Sequence, residues 1–133
     1  GLPIGACMMG KKCSRTLSSG THGSTFGGNP IICAGALSIL SRINEKFLSE
    51  VEKKGVYMRQ MLEGTKGVLS VDGMGMMLGA RLEGSLEKVV AGCMDRGVLV
   101  LTAHGLLRLL PPLSISMDQL EKAMSVVRSV IEE

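Results

Sequence analysis

The sequence has 133 residues and a formal net charge of +3, from 15 basic and 12 acidic side chains. This charge is too small to indicate nucleic-acid binding, since no basic run is longer than Lys11-Lys12 and aromatic residues make up only 2% of the chain. No run of about 18 apolar residues occurs, so no membrane-spanning helix is predicted.

The first third of the chain is rich in glycine and small polar residues. Residues 2–9 (LPIGACMM) predict a short buried strand, and residues 10–29 form a polar loop long enough to be functional or disordered. Asn29 is a good N-cap and Pro30 suits a first helical turn, which predicts a helix from Pro30 to about Ile43. Apolar residues cover most of this helix, so it is expected to be buried on most sides.

Residues 45–133 alternate between helical and strand patterns. A helix is predicted over 45–63, strands over 68–71 and 74–82 around the turn Asp72-Gly73, and a helix over 85–96. Strands 98–102 and 106–110 follow, joined by a turn at His104, and a last helix begins after Ser116, which has capping-box spacing to Gln119. The expected fold class is therefore α/β, with an α+β small domain.

The cysteines and histidines give no sign of a metal site. No two cysteines have Cys-x-x-Cys spacing, and the two histidines, His22 and His104, do not complete a ligand pattern. We therefore predict no bound metal and reduced thiols in a cytoplasmic protein. The cysteines concerned are Cys7, Cys13, Cys33 and Cys93.

Two features could bind anions. The segment Gly20–Pro30 brings glycines and hydroxyls, among them Ser24 and Thr25, to the start of a helix, which suits a phosphate. Arg108, between leucines on a predicted strand, could grip a carboxylate. On composition alone, a flexible Ser/Gly loop before a capped helix is the favoured explanation of the first feature, and a structural salt bridge or an edge residue with its charge in solvent is the favoured explanation of the second. Arg81 is interpreted as a surface residue.

Four strings of the sequence resemble class III aminotransferases of the acetylornithine/ornithine type, in order and over essentially all 133 residues. They are GLPIGACMM, GTHGSTFGGNPIICAGAL, VDGMGMMLGARL and LVLTAHGLLRLLPPLSIS. The resemblance implies the type I pyridoxal-phosphate fold, of which this chain would be the C-terminal part. Residues 1–44 would end the large cofactor-binding domain, and residues 45–133 would be the small C-terminal domain.

The resemblance also implies residue roles. Thr25, with Ser24 beside it, matches the threonine that reaches the phosphate of pyridoxal 5'-phosphate in the partner subunit of a homodimer. Arg108 matches the arginine that binds the substrate α-carboxylate. The Schiff-base lysine of the family would lie a few residues before Gly1, so none of the residues in this chain is predicted to be catalytic.

The implied activity is transfer of the amino group of N-acetylornithine to 2-oxoglutarate, a step of arginine biosynthesis. Because the chain opens at Gly1 without Met and the lysine would precede it, we interpret the chain as a fragment that is inactive by itself. Ornithine or 4-aminobutyrate as the amino donor is the alternative within the family. The alternative from another class is a non-catalytic interaction or dimerisation module.

Overall fold

The computed structural model describes residues 2–133, which divide into two units, the first ending at Asn44 and the second comprising Glu45–Glu133. The second unit combines three helices with a four-stranded antiparallel sheet, and the first contains a single helix. The predicted α/β fold class is therefore confirmed.

The first unit contains helix α1 (Pro30–Leu40) and a series of turns and bends. Its N-cap is Asn29, as predicted: the side-chain Oδ1 accepts hydrogen bonds from the amides of Ile31 (3.0 Å) and Ile32 (3.4 Å). The helix ends three residues before the predicted Ile43. Beyond Leu40 the chain continues in tighter turns, in which the amide of Ile43 donates to the carbonyl of Leu40.

Two predictions for the first unit are wrong. Residues 2–9 form no strand and are exposed, and a strand requires a hydrogen-bonded neighbour that residues 2–44 do not provide. Helix α1 has no buried residue, although its sequence is apolar on most sides. Apolar periodicity shows that a helix can be buried, but burial also needs a second packed layer, and residues 2–44 form only this one helix.

The second unit follows the predicted order of elements. Helix α2 precedes the first hairpin, helix α3 separates the two hairpins, and helix α4 ends the chain. The strand order in the sheet is β1-β2-β4-β3, with every neighbouring pair antiparallel. The elements are α2 (Glu45–Glu63), β1 (Val68–Met74), β2 (Met77–Leu82), α3 (Leu86–Asp95), β3 (Leu101–Ala103), β4 (Leu106–Leu109) and α4 (Met117–Glu132).

The core lies between one face of the sheet and the three helices of the second unit. Alternate residues of β2 and β4 are buried there, because successive strand residues point to opposite faces. The helices contribute residues at helical spacing to the same cluster. The strand members are Leu78, Ala80, Leu107 and Leu109, and the helical members include Met58, Leu62, Cys93, Leu120, Met124 and Val127.

The turn of the first hairpin lies three residues later than predicted. Asp72 and Gly73 belong to β1, and the turn is Gly75-Met76. Gly75 has φ +55°, and a two-residue hairpin turn of this kind favours glycine at its first central position. Gly73 (φ +121°) is also required, because a Cβ there would lie 2.1 Å from the carbonyl oxygen of Met77 on β2.

Strand β3 is shorter than the predicted 98–102. The amide of Val98 donates to the carbonyl of Cys93 at 2.8 Å, and Gly97 has φ +80°. These residues therefore close the C-terminus of α3 and are not free to pair with β4. At the other end of the unit, the predicted capping box of α4 is confirmed, with reciprocal hydrogen bonds between Ser116 and Gln119. Among residues 2–133, no helix is long and apolar enough to cross a membrane.

Candidate functional site

Arg108 occupies the middle of the sheet, on the face opposite the core. Its register partners are Gly79 on β2 and Leu101 on β3. Its sequence neighbours, Leu107 and Leu109, are buried on the core face. Arg108 itself is half-buried. The alternation of the strand therefore holds the arginine at a fixed position, with a structured strand on either side.

The Arg108 side chain has no partner within the described chain. It forms no hydrogen bond and no ion pair with any of residues 2–133. The structural salt bridge that composition allowed is thus not present in these residues. A half-buried guanidinium without a counter-ion is suited to bind a carboxylate or phosphate by two parallel hydrogen bonds.

Arg108 also lines a cavity of about 420 Å³. The other lining residues come from Met58 of α2, the segment before β3, strands β3 and β4, the segment after β4 and helix α4, and Arg108 is the only ionisable residue of the wall. Six residues of this wall belong to the buried core, so the cavity borders β4 on its core side: Met58, Val100, Leu109, Leu120, Met124 and Val127. The segment Pro111–Ile115, called here the post-β4 turn, contributes Pro111, Pro112 and Ile115 to this wall.

Arg81 lies on the same face of the sheet and is exposed, as predicted for a surface residue. It pairs in register with Ser70 on β1, away from the cavity that Arg108 lines. Because it shares residue type and sheet face with Arg108 but not the cavity, Arg81 is a useful control for experiments on Arg108.

Ser24 and Thr25 lie in the first unit, within the loop that precedes α1, and both are exposed. Neither hydroxyl forms a hydrogen bond with any residue in the described part of the chain. Gly27 permits a tight turn here, because a Cβ at that position would lie 3.1 Å from the Cβ of Ser24. Two free hydroxyls therefore lie on adjacent exposed residues of a loop shaped by glycine, and hydroxyls of this kind can donate hydrogen bonds to a phosphate.

The N-terminus of α1 does not add to this site as the sequence suggested. The amides of Ile31 and Ile32 already donate to the Asn29 side chain, and the amide of Cys33 donates to the Asn29 carbonyl. Pro30 has no amide hydrogen. The first turn of α1 thus has no free donor, and the free side-chain donors that remain near it in this loop are the hydroxyls of Ser24 and Thr25.

The two histidines show no arrangement for catalysis. His22 is exposed in the loop of the first unit. His104 is exposed in the turn between β3 and β4, with φ +51°, and Gly105 follows with φ +75°. Two successive positive φ angles are typical of the tight turn that matches the twist of a hairpin. His104 thus serves the turn conformation, in which histidine is more frequent than most residues.

Lys54 is a residue that sequence reasoning missed. It is only 8% exposed, and its ammonium group donates to the carbonyl oxygen of Leu113 in the post-β4 turn at 3.2 Å. A signal was present in the sequence: Lys54 lies four residues before the core residue Met58 and three after Val51, on the apolar stripe of α2. A lysine on such a stripe is either buried with a partner or marks a break in the stripe.

Among residues 2–133 no group of three or more His, Cys, Asp and Glu residues is arranged to hold a metal ion. The two anion-binding candidates are thus built from hydroxyls in the first unit and from a guanidinium in the second.

Comparison with known proteins gives a consistent result. Residues 1–131 match the family model for aminotransferase class III. Acetylornithine aminotransferase from Haemophilus ducreyi is 43% identical over 135 residues, and that from Corynebacterium efficiens is 39% identical. Each alignment covers 100% of this chain but only 34% of the relative, so the chain spans about a third of the length of these relatives.

Solved structures agree with the sequence matches. The crystal structure of acetylornithine aminotransferase from Elizabethkingia anophelis is similar over 86% of this chain and 33% of its own, with a TM-score of 0.71 and 31% identity. An ornithine aminotransferase from Toxoplasma gondii has a TM-score of 0.74 and 28% identity, over 86% of this chain and 30% of its own. The fold is therefore that of a part of a pyridoxal-phosphate-dependent transferase of type I, and the chain belongs to the class III aminotransferase family.

Proposed function

We propose that these residues form the C-terminal part of a pyridoxal-phosphate-dependent aminotransferase that moves the amino group of N-acetylornithine to 2-oxoglutarate. The carrying observation is the unpartnered, half-buried Arg108 in the middle of the sheet, in a chain 43% identical to an acetylornithine aminotransferase. A cytoplasmic homodimer and a role in arginine biosynthesis belong to the same proposal. The division into a large-domain end (1–44) and a small domain (45–133) is supported by the two units, which meet after Asn44.

Arg108 would bind the α-carboxylate of both the amino donor and 2-oxoglutarate. The guanidinium can donate two parallel hydrogen bonds to one carboxylate. Fixing the carboxylate fixes the orientation of the α-carbon, whose proton must be removed and returned during amino transfer. Arg108 therefore orients the substrate and exchanges no proton itself.

Ser24 and Thr25 would hold the phosphate of the cofactor, and their free, adjacent hydroxyls fit that group. In the proposed homodimer, Thr25 would reach the phosphate bound in the partner subunit. When bound, pyridoxal phosphate supplies an electron-withdrawing ring that stabilises the negative charge left on the α-carbon. The 133 residues alone are expected to show no transaminase activity, because they span about a third of the relatives' length.

The test replaces Arg108 by Gln in the complete polypeptide that carries these residues. Losing a charge-assisted contact to each carboxylate should lower kcat/KM for both substrates, about 10- to 100-fold, mainly through KM. The matched control is Arg81→Gln, which should change neither parameter. Steady-state rates of glutamate formation measure the effect, and an Arg108→Gln enzyme as active as Arg81→Gln would refute the assignment.

The amino donor is tested by comparing N-acetylornithine, ornithine and 4-aminobutyrate with the unmodified polypeptide. A higher kcat/KM for N-acetylornithine supports the proposed substrate. Ornithine is the second candidate, because structures of ornithine aminotransferases are also similar to this chain, and a decisive preference for it would reassign the enzyme. No transamination of any donor would favour a non-catalytic interaction module.

A further inference from the structure

Lys54 is a cation on the core side of α2, without a carboxylate partner among residues 2–133. A lysine this buried is rare unless its charge is compensated, because removing an ammonium group from water costs several kilocalories per mole. Its one protein acceptor is the Leu113 carbonyl, which lies 59 residues away along the chain. The contact therefore connects α2 to a distant segment of the same unit.

The acceptor lies in the post-β4 turn, the segment that follows the Arg108 strand. Leu113 is flanked by residues that line the Arg108 cavity: Pro112 on one side and Ile115 on the other. Met58, one turn after Lys54 on α2, lines the same cavity. The other hydrogen bond of this turn among residues 2–133 is local, from the amide of Ile115 to the carbonyl of Pro112. Lys54 is thus the polar tie between the rigid helix and this wall.

Gly55, the next residue of α2, lies where the helix comes close to a second loop. Gly55 is buried, and a Cβ there would lie 2.6 Å from the carbonyl oxygen of Gly75 in the β1–β2 turn. Two successive residues of α2 therefore hold two loops of the sheet: Gly55 by close approach and Lys54 by a hydrogen bond. Helix α2 cannot move relative to either loop without losing one of these contacts.

We infer that Lys54 is a positioning residue for the carboxylate site, holding the post-β4 turn and with it the end of the strand that carries Arg108. The inference rests on the proposed function, since it gives Lys54 an effect on the substrates that Arg108 binds. Lys54 does not touch the substrate in this account. It acts through the turn, so its loss should weaken binding of every substrate carboxylate and should leave the reacting atoms unaffected.

The test compares Lys54→Met with Lys53→Met in the complete, cofactor-loaded polypeptide. Met keeps the unbranched stem of Lys54 but cannot donate to Leu113, and Lys53 is the exposed neighbour on the same helix. For Lys54→Met we expect KM for both carboxylate substrates to rise about tenfold, with kcat changed less than twofold. Lys53→Met should behave like the unmodified enzyme, and Lys54→Arg, which can still donate, should recover most of the KM.

Three outcomes would overturn the inference: an unchanged KM in Lys54→Met, a loss confined to kcat, or a KM that Lys54→Arg does not recover. Thermal unfolding of each variant shows whether it is folded at the assay temperature, and an unfolded Lys54→Met would be replaced by Lys54→Gln. Arg108→Gln in the same assays separates the two proposals. If Arg108→Gln has no effect, the proposed function fails; if only Lys54→Met has none, the inference fails.

Discussion

Cys93 is a residue whose ionisation should influence stability. Its side chain is fully buried (0% exposed) in the core, on α3. Burial raises the pKa of the thiol above its ordinary value, and the charge of Arg96 offsets part of that increase. In the unfolded chain the thiol ionises from about pH 8.5 upward, while in the folded chain it remains protonated to a higher pH.

The expected result is a loss of stability at alkaline pH. In the pH range between the two pKa values the folded state holds one more proton than the unfolded state, so the free energy of unfolding falls as pH rises, by at most about 1.4 kcal/mol per pH unit. Urea unfolding between pH 7 and pH 10 measures the slope. In Cys93→Ala, which loses some packing at every pH, the slope above about pH 8.5 should be smaller. Equal slopes in the two proteins would show that Cys93 contributes nothing to it.

The roles of some of these residues could be predicted from the sequence, and the roles of others could not. Arg108 could be singled out because a charged residue between leucines on a strand breaks an apolar pattern, and Asn29 because capping is a local property. The partner of Lys54 could not be predicted, since the acceptor is a backbone carbonyl 59 residues away. The role of His104 depends on a backbone angle, which residue type alone did not reveal.

At the scale of elements, the capping box of α4 allows a direct measurement. The Ser116 hydroxyl accepts from the amide of Gln119 at 3.2 Å, and the Gln119 side chain accepts from the amide of Ser116 at 3.3 Å. Ser116→Ala leaves a helix amide without its acceptor and should lower the free energy of unfolding by about 1 kcal/mol. Ser125→Ala, an exposed substitution within α4, is the control and should be neutral or slightly stabilising.

The double variant Ser116→Ala with Gln119→Ala tests whether the two bonds act together. Because both belong to one reciprocal motif, the combined loss should differ from the sum of the single losses. Urea unfolding of the four proteins gives the coupling free energy. Strict additivity would show that the two bonds act independently, and no loss in Ser116→Ala would mean that the capping bond does not stabilise the helix.

The existence and order of the elements were predictable where local signals determine them, whereas the ends of several strands and of α1 were not. Helix α2 has the predicted bounds, α3 begins one residue after its predicted start at Ser85, and α4 begins immediately after the predicted capping residue Ser116. The first hairpin turn was misplaced because Asp-Gly is a common turn pair, yet the close approach of β2 at Gly73 required glycine within the strand. Strand β3 lost its predicted start because Val98 is used to end α3.

At the scale of the whole molecule, the two units differ in how they are stabilised. Every residue of the buried core belongs to the second unit, whereas residues 2–44 contain no buried side chain. The first unit instead exposes apolar side chains within residues 2–9 and on α1. Exposed apolar surface of this kind favours association with another chain. The exposed residues include Leu2, Ile4, Ile31, Leu37, Ile39 and Leu40.

We therefore expect the 133-residue chain to self-associate through its first unit. Light scattering over a range of concentrations should give a rising average mass for the whole chain and a mass near that of a monomer for residues 45–133 alone. Leu37→Lys, which places a charge on an exposed apolar helix position, should reduce association while leaving the urea unfolding of the second unit unchanged, because that unit holds the core. The sheet of the second unit also exposes apolar side chains, which could form a different contact: Met74, Met77 and Leu101. Association that persists in residues 45–133 would place the contact on the sheet and contradict the role assigned to α1.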